Sequence, residues 1–298
     1  MTENVLNKID VSYKINEPMS QHTSFKIGGG AEYFVEPSSV SELSNVLNAT
    51  RENGIPTTVI GNGSNLLVSD SGVEGVVVST LKMKEIKLLD ETRVFAEAGA
   101  SLTAVCLFAK NNSLGGLEFA YGIPGSVGGA LYMNAGAYGG EMSDVVESAE
   151  SLCGGEVVER RIDELSLSYR HSVYTDNGEV IVGVTFKLQK GDKSEIEEKM
   201  NTLMQKRKTS QPLDYPSGGS TFKRPEGYYA AALIDECGLK GMSVGGAEVS
   251  RKHAGFVINR ENATCSDVLS LVEKIKEIVL AKKGVKLQTE IIHIGKKS

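Results

Sequence analysis

The chain has 298 residues, more than one ordinary hydrophobic core needs, which favours two or three domains. Its 40% hydrophobic and 23% charged residues are typical of a globular protein. The net charge of −6 argues against nucleic acid or an anionic membrane as a partner, but a few local cations can still hold a small anionic ligand.

No part of the sequence is typical of export, membrane insertion or metal binding. The first ten residues lack the basic flank and apolar core of a signal peptide, and no run approaches the ~20 apolar residues of a membrane span. The four cysteines include no CxxC pair, and the four histidines form no metal-binding signature. We therefore expect a cytoplasmic protein with reduced thiols and no metal.

The N-terminal elements form a strand–helix–strand pattern. The segment His22–Ala31 (HTSFKIGGGA) predicts a glycine turn before a strand at 32–35. Ser39 and Glu42 have the spacing of a capping box, so a helix begins there. A second strand follows at Ile55–Ile60, and the pattern favours parallel pairing of the two strands.

A glycine loop, Gly61-Asn62-Gly63-Ser64-Asn65, follows this strand. It has half of a GxGxxG pattern, but Leu66 stands where the third glycine belongs and no helical pattern begins there. These two features argue against a Rossmann loop. A nest of backbone amides can still hold a diphosphate, with Asn and Ser side chains as further partners. A plain turn is the alternative.

The next elements are strands around a single helix. Ser101 caps this helix, and Cys106 belongs to its apolar face, so we expect the thiol to pack in the core. Strands are predicted at 75–80 and 93–98. Three further strands, at 145–152, 156–158 and 179–188, are expected to form an antiparallel or mixed sheet.

The most glycine-rich segment is Tyr121–Gly140, which reads YGIPGSVGGALYMNAGAYGG. No ordinary helix or strand tolerates so many glycines, because each adds backbone freedom that folding must remove. Such a backbone persists where it lies against a phosphate group or the flat face of a cofactor. A run of tight turns is the alternative. The second glycine loop at 61–65 favours the ligand.

Towards the C-terminus, beyond a composition change near Gly191, the sequence favours helices. Ser194 and Glu197 have capping-box spacing and open a helix that ends in the basic residues 206–208. A turn-rich loop at 211–224 carries a serine, Ser220. Further elements are helices at 228–237 and 266–283 and strands at 255–258 and 287–294, the last of which carries Glu290.

Together these segments resemble the UDP-N-acetylenolpyruvoylglucosamine reductases, the flavoenzymes of bacterial peptidoglycan precursor synthesis. The matching segments span most of the chain in the expected order, and several are loops, so the resemblance goes beyond a shared fold. They are Asn62-Gly63-Ser64-Asn65, Gly122-Ile123-Pro124-Gly125-Ser126-Val127-Gly128-Gly129, Asn134-Ala135-Gly136-Ala137-Tyr138-Gly139, Ser168-Tyr169-Arg170, Gly219-Ser220-Thr221-Phe222-Lys223 and Glu290.

The resemblance implies an α+β fold with a PCMH-type FAD-binding part of two α+β subdomains and a C-terminal α+β domain for the UDP-sugar. In this chain we expect the FAD-binding subdomains at 1–80 and 81–191 and the UDP-sugar domain at 192–298. The short junction at 191–193 lacks a tyrosine-bearing insertion that one branch of the family carries. It is similar to the other branch, the type II enzymes.

The resemblance also implies FAD as cofactor and NADPH as co-substrate. NADPH reduces the flavin, and a hydride then passes to the enolpyruvyl ether of UDP-N-acetylglucosamine enolpyruvate. Protonation of the neighbouring carbon gives UDP-N-acetylmuramate, and we expect the enzyme to act as a monomer. The expected contacts to FAD come from Gly61, Asn62, Gly63, Ser64, Asn65, Gly122, Pro124, Gly125, Ser126, Gly129, Asn134 and Gly136.

Three residues are expected to serve the protonation step. Ser220 is the expected proton donor and acts through its position, with an ordinary turn serine as the alternative. Arg170 suits bidentate pairing with the substrate carboxylate, although a surface ion pair also explains a lone arginine. Glu290 is expected to stabilise the enol or to assist proton delivery, with a solvated edge-strand residue as the alternative.

Three further side chains are candidates for ligand contacts. Arg224 and His253 are candidates for the phosphates or the sugar of the substrate, and His22 is a candidate for FAD. An ordinary surface or loop role is the favoured alternative for each of the three.

Two other functions remain open. A different PCMH-type FAD oxidoreductase, such as a sugar or hydroxy-acid oxidase, needs no carbanion protonation, so Ser220 and Glu290 argue against it. A nucleotide-sugar binding protein or a UDP-sugar transferase has no redox role. A colourless protein that takes up no FAD would support that class.

Overall fold

The computed structural model describes residues 1–296. Its helices are α1 (Thr2–Lys8), α2 (Val40–Glu52), α3 (Leu102–Asn111), α4 (Val127–Tyr132), α5 (Tyr174–Asn177), α6 (Lys193–Ser210), α7 (Ala230–Glu236) and α8 (Cys265–Lys283). Its strands are β1 (Tyr13–Pro18), β2 (Gly30–Val35), β3 (Thr57–Ile60), β4 (Leu66–Val68), β5 (Val73–Ser79), β6 (Ile86–Leu88), β7 (Arg93–Glu97), β8 (Leu114–Gly115), β9 (Gly136–Ala137), β10 (Gly140–Glu141), β11 (Val146–Cys153), β12 (Glu156–Arg161), β13 (Val180–Lys187), β14 (Gln189–Lys190), β15 (Ser243–Val244), β16 (Ala247–Val249), β17 (Val257–Asn259) and β18 (Ile292–Ile294).

The chain forms two compact units, and each is built from separate stretches of sequence. The predicted division at 80 and 191 into two FAD-binding subdomains and a UDP-sugar domain remains a prediction. Unit 1 contains residues 1–14, 33–62 and 75–207, and unit 2 contains residues 15–32, 63–74 and 208–298.

The main sheet of unit 1 is antiparallel, which is one of the two arrangements predicted for its strands β11, β12 and β13. Its five strands have the order β12-β11-β13-β7-β6. Helix α3 buries the apolar face that the sequence indicates, and Cys106 on this face is buried in the core as predicted. Burial raises the pKa of the Cys106 thiol to about 12, so this group stays a neutral packing residue.

A second sheet has the order β1-β2-β5-β3, and β3 runs parallel to β5. The prediction that the strands at 32–35 and 55–60 pair directly is wrong, because β5 lies between them. The helix between them begins as predicted, since the Oγ of Ser39 accepts the N–H of Glu42 at 3.2 Å. The Glu42 carboxylate accepts the N–H of Ser38 instead of that of Ser39.

Helix α6 differs from its prediction at both ends. It begins at Lys193 because the side chain of Asp192 accepts the N–H groups of Ser194 and Glu195, so Asp192 and not Ser194 caps it. It also continues past the basic residues as far as Ser210. A capping oxygen two residues before Ser194 therefore fixes the start of this helix.

Unit 2 consists of two small sheets and the helices α7 and α8. Strands β15, β16 and β17 pair in that order, and β18 pairs in parallel with β4. Helix α8 buries Val268, Val272, Ile275 and Val279, which belong to its predicted apolar face. It begins at a full capping box that Thr264 and Asp267 form.

The predicted strand at 287–294 is shorter in the structure. Only Ile292–Ile294 forms a strand, and Thr289 makes an isolated antiparallel bridge with Phe222. Glu290 therefore lies between the bridge and the strand. None of the helices within residues 1–296 is long and apolar enough to cross a bilayer.

Candidate active site

The first half of the predicted glycine loop contacts the long glycine segment within unit 1. The side-chain amide of Asn62 donates to the carbonyl of Pro124 at 2.8 Å. Gly61 lies so close to Ser126 that a Cβ at residue 61 would be 2.1 Å from the Ser126 hydroxyl oxygen. Only glycine permits this approach, so two segments about 60 residues apart in sequence form one bare-backbone surface.

The backbone behind this surface is fixed by the core of unit 1. Ser126 is buried, and its Oγ accepts the N–H of Gly129 at the start of α4. The N–H groups of Val127 and Gly128 donate to the carbonyls of Ala100 and Ala98, both at 2.8 Å. The glycine segment is therefore bonded to the core at several points. We call the surface formed by Gly61, Asn62 and the glycine segment 121–140 the platform.

Asn134 holds the turn that carries Arg170. Its side chain is fully buried, donates to the carbonyl of Ser168 at 3.1 Å and accepts the N–H of Ser143 at 3.0 Å. The turn is closed by reciprocal backbone hydrogen bonds between Ser168 and His171. Arg170 has φ +57, which few non-glycine residues adopt. The tight turn thus fixes the backbone from which the Arg170 side chain extends.

A two-residue hairpin follows, in which β9 pairs with β10 and Tyr138 and Gly139 both have positive φ. The guanidinium of Arg207 on α6 lies 6.0 Å from the centre of the Tyr138 ring. Arg207 also borders the platform, since a Cβ at Gly122 would be 3.4 Å from its Cδ. Burial lowers the pKa of Arg207, and a guanidinium nevertheless keeps its charge in proteins.

The second half of the glycine loop lies in unit 2. Gly63 has φ +60, and a Cβ there would be 2.0 Å from the carbonyl oxygen of His22. The His22 ring is 2.9 Å from the carboxylate of Glu17. His22 thus contributes its backbone to the packing of this loop.

Ser24 connects this loop with the Ser220 loop. Its hydroxyl donates to the carbonyl of Ser217 at 2.6 Å and to that of Ser64 at 3.3 Å. Gly218 packs against Phe25, where a Cβ would be 2.7 Å from the ring. The sequence analysis did not single out Ser24, although its position in a polar, glycine-rich segment was the available signal.

Ser220 is exposed, and the residue after it is anchored on three sides. Thr221 is fully buried; its N–H donates to the carbonyl of Gly255 at 2.8 Å, and its Oγ1 accepts the N–H of Val257 at 2.9 Å. The carbonyl of Thr221 accepts the N–H of Glu290 at 2.8 Å. Ser220 and Glu290 therefore belong to adjoining, hydrogen-bonded segments.

Asn65 joins the same set of residues. Its side-chain amide donates to the carbonyl of Glu290 at 3.1 Å, and its backbone carbonyl accepts the N–H of Ile292 at 2.9 Å. Glu290 is half-buried. Unit 2 thus brings together one residue predicted to contact FAD and two predicted to act in protonation.

His253 lies in the loop that Thr221 contacts. Its Nδ1 accepts the N–H of Gly255 at 3.1 Å, so in the neutral ring the proton is on Nε2. Burial lowers the pKa of His253, and the nearby charge of Lys240 acts in the same direction. At neutral pH this histidine is an uncharged hydrogen-bond donor. Arg224 is exposed, and its guanidinium lies 4.1 Å from the centre of the Tyr229 ring.

The residues of unit 1 fit a flat anionic cofactor. At Gly61 the close approach leaves no room for a Cβ, so the platform presents backbone instead of side chains. Backbone amides and the hydroxyl and amide groups beside them are the donors that a diphosphate accepts. A surface of bare backbone and short polar groups suits FAD, which carries a flat ring and a diphosphate.

Two family models match the chain. The model of the UDP-N-acetylenolpyruvoylglucosamine reductase C-terminal domain matches residues 211–294, and the model of an FAD binding domain matches residues 31–160. The first contains Ser220, Arg224, His253 and Glu290. The second contains the glycine platform.

Curated relatives match over nearly the whole chain. The UDP-N-acetylenolpyruvoylglucosamine reductase of Clostridium novyi (strain NT) is 50% identical over 297 residues, which are 99% of this chain and 96% of the relative. The enzyme of the same name from Clostridium tetani (strain Massachusetts / E88) is 49% identical over 95% of this chain and 92% of its own.

Solved structures show the same fold. The UDP-N-acetylenolpyruvylglucosamine reductase of Thermus caldophilus superposes with a TM-score of 0.81 at 34% identity, covering 95% of this chain and 98% of its own. A berberine bridge enzyme variant shares the fold of 65% of this chain, at 16% identity and a TM-score of 0.50 over 44% of its own length. The predicted α+β fold with a PCMH-type FAD-binding part is confirmed, and so is FAD as cofactor. The chain belongs to the UDP-N-acetylenolpyruvoylglucosamine reductase family, whose members are FAD-dependent oxidoreductases of peptidoglycan precursor synthesis.

Proposed function

We propose that this protein uses NADPH to reduce UDP-N-acetylglucosamine enolpyruvate to UDP-N-acetylmuramate. The observation that carries the proposal is a pair of hydrogen bonds: the N–H of Glu290 donates to the Ser220 segment at Thr221, and the side-chain amide of Asn65 donates to the carbonyl of Glu290. Family membership supports the same reaction. When bound, FAD supplies the hydride.

The residues assigned to FAD are those of the two glycine segments. Gly61, Asn62, Ser126 and the platform glycines present backbone and short polar groups. Asn134 acts indirectly, because both ends of its amide are bonded to the protein. The further residues of this set are Gly63, Ser64, Asn65, Gly122, Pro124, Gly125, Gly129 and Gly136.

Ser220 donates the proton that the substrate carbon needs after the hydride has arrived. A serine hydroxyl is a weak acid, so its contribution depends on a fixed position next to that carbon. The anchoring of Thr221 on three sides supplies this fixed position. Exposure of Ser220 leaves its hydroxyl accessible to the ligand.

Arg170 and Glu290 handle the charge that develops on the substrate. Arg170 pairs with the substrate carboxylate, which gains enolate character as the hydride adds. Glu290 stabilises the enol or assists proton delivery. The constrained turn of Arg170 and the backbone hydrogen bonds of Glu290 support these roles, because both limit the positions of the side chains.

Arg224 and His253 contact the diphosphate or the sugar. The guanidinium supplies charge and paired donors. His253 supplies one neutral donor through Nε2, because Nδ1 already accepts a hydrogen bond. The protein acts in this scheme as a cytoplasmic monomer, with FAD-binding subdomains at 1–80 and 81–191 and a UDP-sugar domain at 192–298.

Steady-state assays test the function as a whole. Purified protein is expected to be yellow, and its oxidation of NADPH is expected to depend on the enolpyruvyl UDP-sugar. NADPH oxidation that is equally fast without this substrate would support an oxidase instead. A colourless protein that cannot be reconstituted with FAD would contradict the proposal.

A further inference from the structure

An exposed aromatic pair follows the Ser220 segment in unit 2. Tyr228 and Tyr229 leave 50% and 63% of their surface accessible. Among the tyrosine and phenylalanine side chains of residues 1–296, that of Tyr229 is the most exposed. Exposing so much aromatic surface forgoes the stabilisation that burial would give, and such surfaces often bind ligands.

Arg224 covers one face of this aromatic surface. Its guanidinium carbon lies 4.1 Å from the centre of the Tyr229 ring, within the range of a cation–π contact. A guanidinium this close to an aromatic ring adds positive charge to an exposed apolar surface. Flat π systems that carry a negative group nearby are the ligands that such a surface suits.

The backbone on both sides of the pair is anchored. Before it, Phe222 is buried and bridged to Thr289, and the N–H of Lys223 donates to the carbonyl of Gln288 at 2.8 Å. After it, Ala230 is buried, and the carbonyl of Tyr229 accepts the first hydrogen bond of α7 at 3.1 Å. The pair is therefore preorganised, which lowers the entropy lost on binding.

The spacing from Ser220 suits a nucleotide sugar. Arg224 follows Ser220 by four residues, so the Cα atoms of the two residues lie no more than about 14 Å apart. A nucleoside diphosphate sugar that places its sugar substituent at Ser220 extends over a comparable length to its base. The diphosphate in between would lie near the charges of Lys223 and Arg224.

We propose that Tyr229, with Arg224 beside its ring, binds the base of a nucleoside diphosphate by stacking. The proposal rests on the proposed function, under which the base is the uracil of the UDP-sugar. Stacking on aromatic rings and guanidinium planes is how proteins commonly hold single bases. Tyr229 is thereby a substrate-binding residue that acts at the end of the ligand opposite to the reaction.

Calorimetric titration of the FAD-loaded protein with UDP tests this assignment. Tyr229→Leu is expected to weaken UDP binding about tenfold or more, whereas Tyr229→Phe keeps the ring and stays within about threefold of the wild type. Inorganic pyrophosphate, which has no base, is expected to bind all three proteins equally. Tyr215→Leu, which removes another exposed tyrosine of unit 2, is the matched control and should bind UDP like the wild type.

The kinetic signature separates a binding role from a merely structural one. Tyr229→Leu is expected to raise KM for the UDP-sugar and to leave kcat and KM for NADPH unchanged. Unchanged UDP binding in Tyr229→Leu would overturn the proposal. A loss of pyrophosphate binding in this variant as large as its loss of UDP binding would overturn it as well. A raised KM for NADPH instead would assign the pair to adenine and overturn its assignment to uracil. The wild-type assay with the enolpyruvyl UDP-sugar reports independently on the proposed function, so the two failures are distinguishable.

Discussion

Ser220 illustrates how a weak acid obtains a catalytic position from its neighbours. The next residue, Thr221, is buried and bonded through its N–H, its carbonyl and its hydroxyl. Motion of the serine backbone would break hydrogen bonds of buried groups, which is costly. The hydrogen bonds of Thr221 therefore hold the backbone of Ser220 in place.

Removal of the Ser220 hydroxyl should separate the two halves of the reaction. In Ser220→Ala we expect flavin bleaching by NADPH to proceed at nearly the wild-type rate. Recovery of the flavin absorbance on addition of the enolpyruvyl UDP-sugar should slow by roughly 10²- to 10⁴-fold, the usual contribution of a positioned acid. Stopped-flow absorbance measures both halves. Ser243→Ala, an exposed serine of unit 2, is the control, and equal slowing of both halves in Ser220→Ala would reject the donor role.

His253 should give a pH dependence of stability. Burial lowers its pKa below the ordinary value of 6.5, so below that value the unfolded chain binds a proton more readily than the folded one. The contribution of the neutral His253 ring to the unfolding free energy is therefore present above pH 6.5. It is lost as the pH falls towards the lower pKa of this ring in the folded protein. We expect the unfolding free energy of wild type to fall more between pH 7.5 and 5.5 than that of His253→Asn, measured by urea denaturation. Equal changes in the unfolding free energy of the two proteins over this pH range would contradict the lowered pKa of His253.

Single residues were predictable where chemistry depends on residue type. The glycine loop that contains Gly61 is visible in the sequence. The resemblance implies that Ser220 and Glu290 act together, and the structure has them in adjoining, hydrogen-bonded segments. Ser24 and Thr221 were not predictable in this way. Their roles consist of side-chain hydrogen bonds to groups 36 to 193 residues away, and no local pattern encodes such partners.

At the scale of elements, the platform of unit 1 depends on close contact between two loops. In Gly61→Ala the new methyl group would overlap the hydroxyl of Ser126, which already caps α4. Overpacking of this kind costs about 1–3 kcal/mol, and we expect FAD affinity to fall about tenfold or more. The ratio of flavin to protein absorbance after dialysis measures the loss. Gly191→Ala, whose Cβ would make only ordinary contacts, should retain FAD like wild type.

Helix α8 has a second cap from a distant part of unit 2. The carboxylate of Asp70 accepts the N–H groups of Cys265 and Ser266 at 2.7 and 3.0 Å. Asp70→Asn removes the negative charge at the helix N-terminus and one acceptor, so we expect a loss of about 1 kcal/mol in unfolding free energy. Urea denaturation with an unchanged m value measures it. In the control Glu273→Gln, which alters an exposed pair within α8, stability should change by less than about 0.5 kcal/mol, and an equal loss in both variants would contradict the capping role.

Elements were predictable in type more reliably than in their ends and neighbours. The helices at Ser39, Ser101 and Thr264 begin at side-chain caps that the local sequence contains. The cap of α6 is Asp192 and not Ser194, because both side chains can cap a helix and only the fold selects one. The pairing of β3 with β5 depends on chain topology, which periodicity does not encode.

At the scale of the whole molecule, each compact unit draws on separate stretches of chain. Residues 15–32 and 63–74 join the C-terminal part in unit 2, although they flank helix α2 of unit 1 in sequence. The composition change near residue 191 reflects only the amino-acid content of the neighbouring sequence. It therefore contains no information about these early segments, whose membership in unit 2 depends on long-range contacts.

Under the proposed function, this protein carries out both halves of the reaction on a bound flavin, with the UDP-sugar as the final acceptor. The most direct test is an anaerobic titration of the wild-type enzyme followed at the flavin absorbance. We expect NADPH to bleach the absorbance and the enolpyruvyl UDP-sugar to restore it, with one UDP-N-acetylmuramate formed per flavin. A flavin that stays bleached after addition of this substrate would contradict the account.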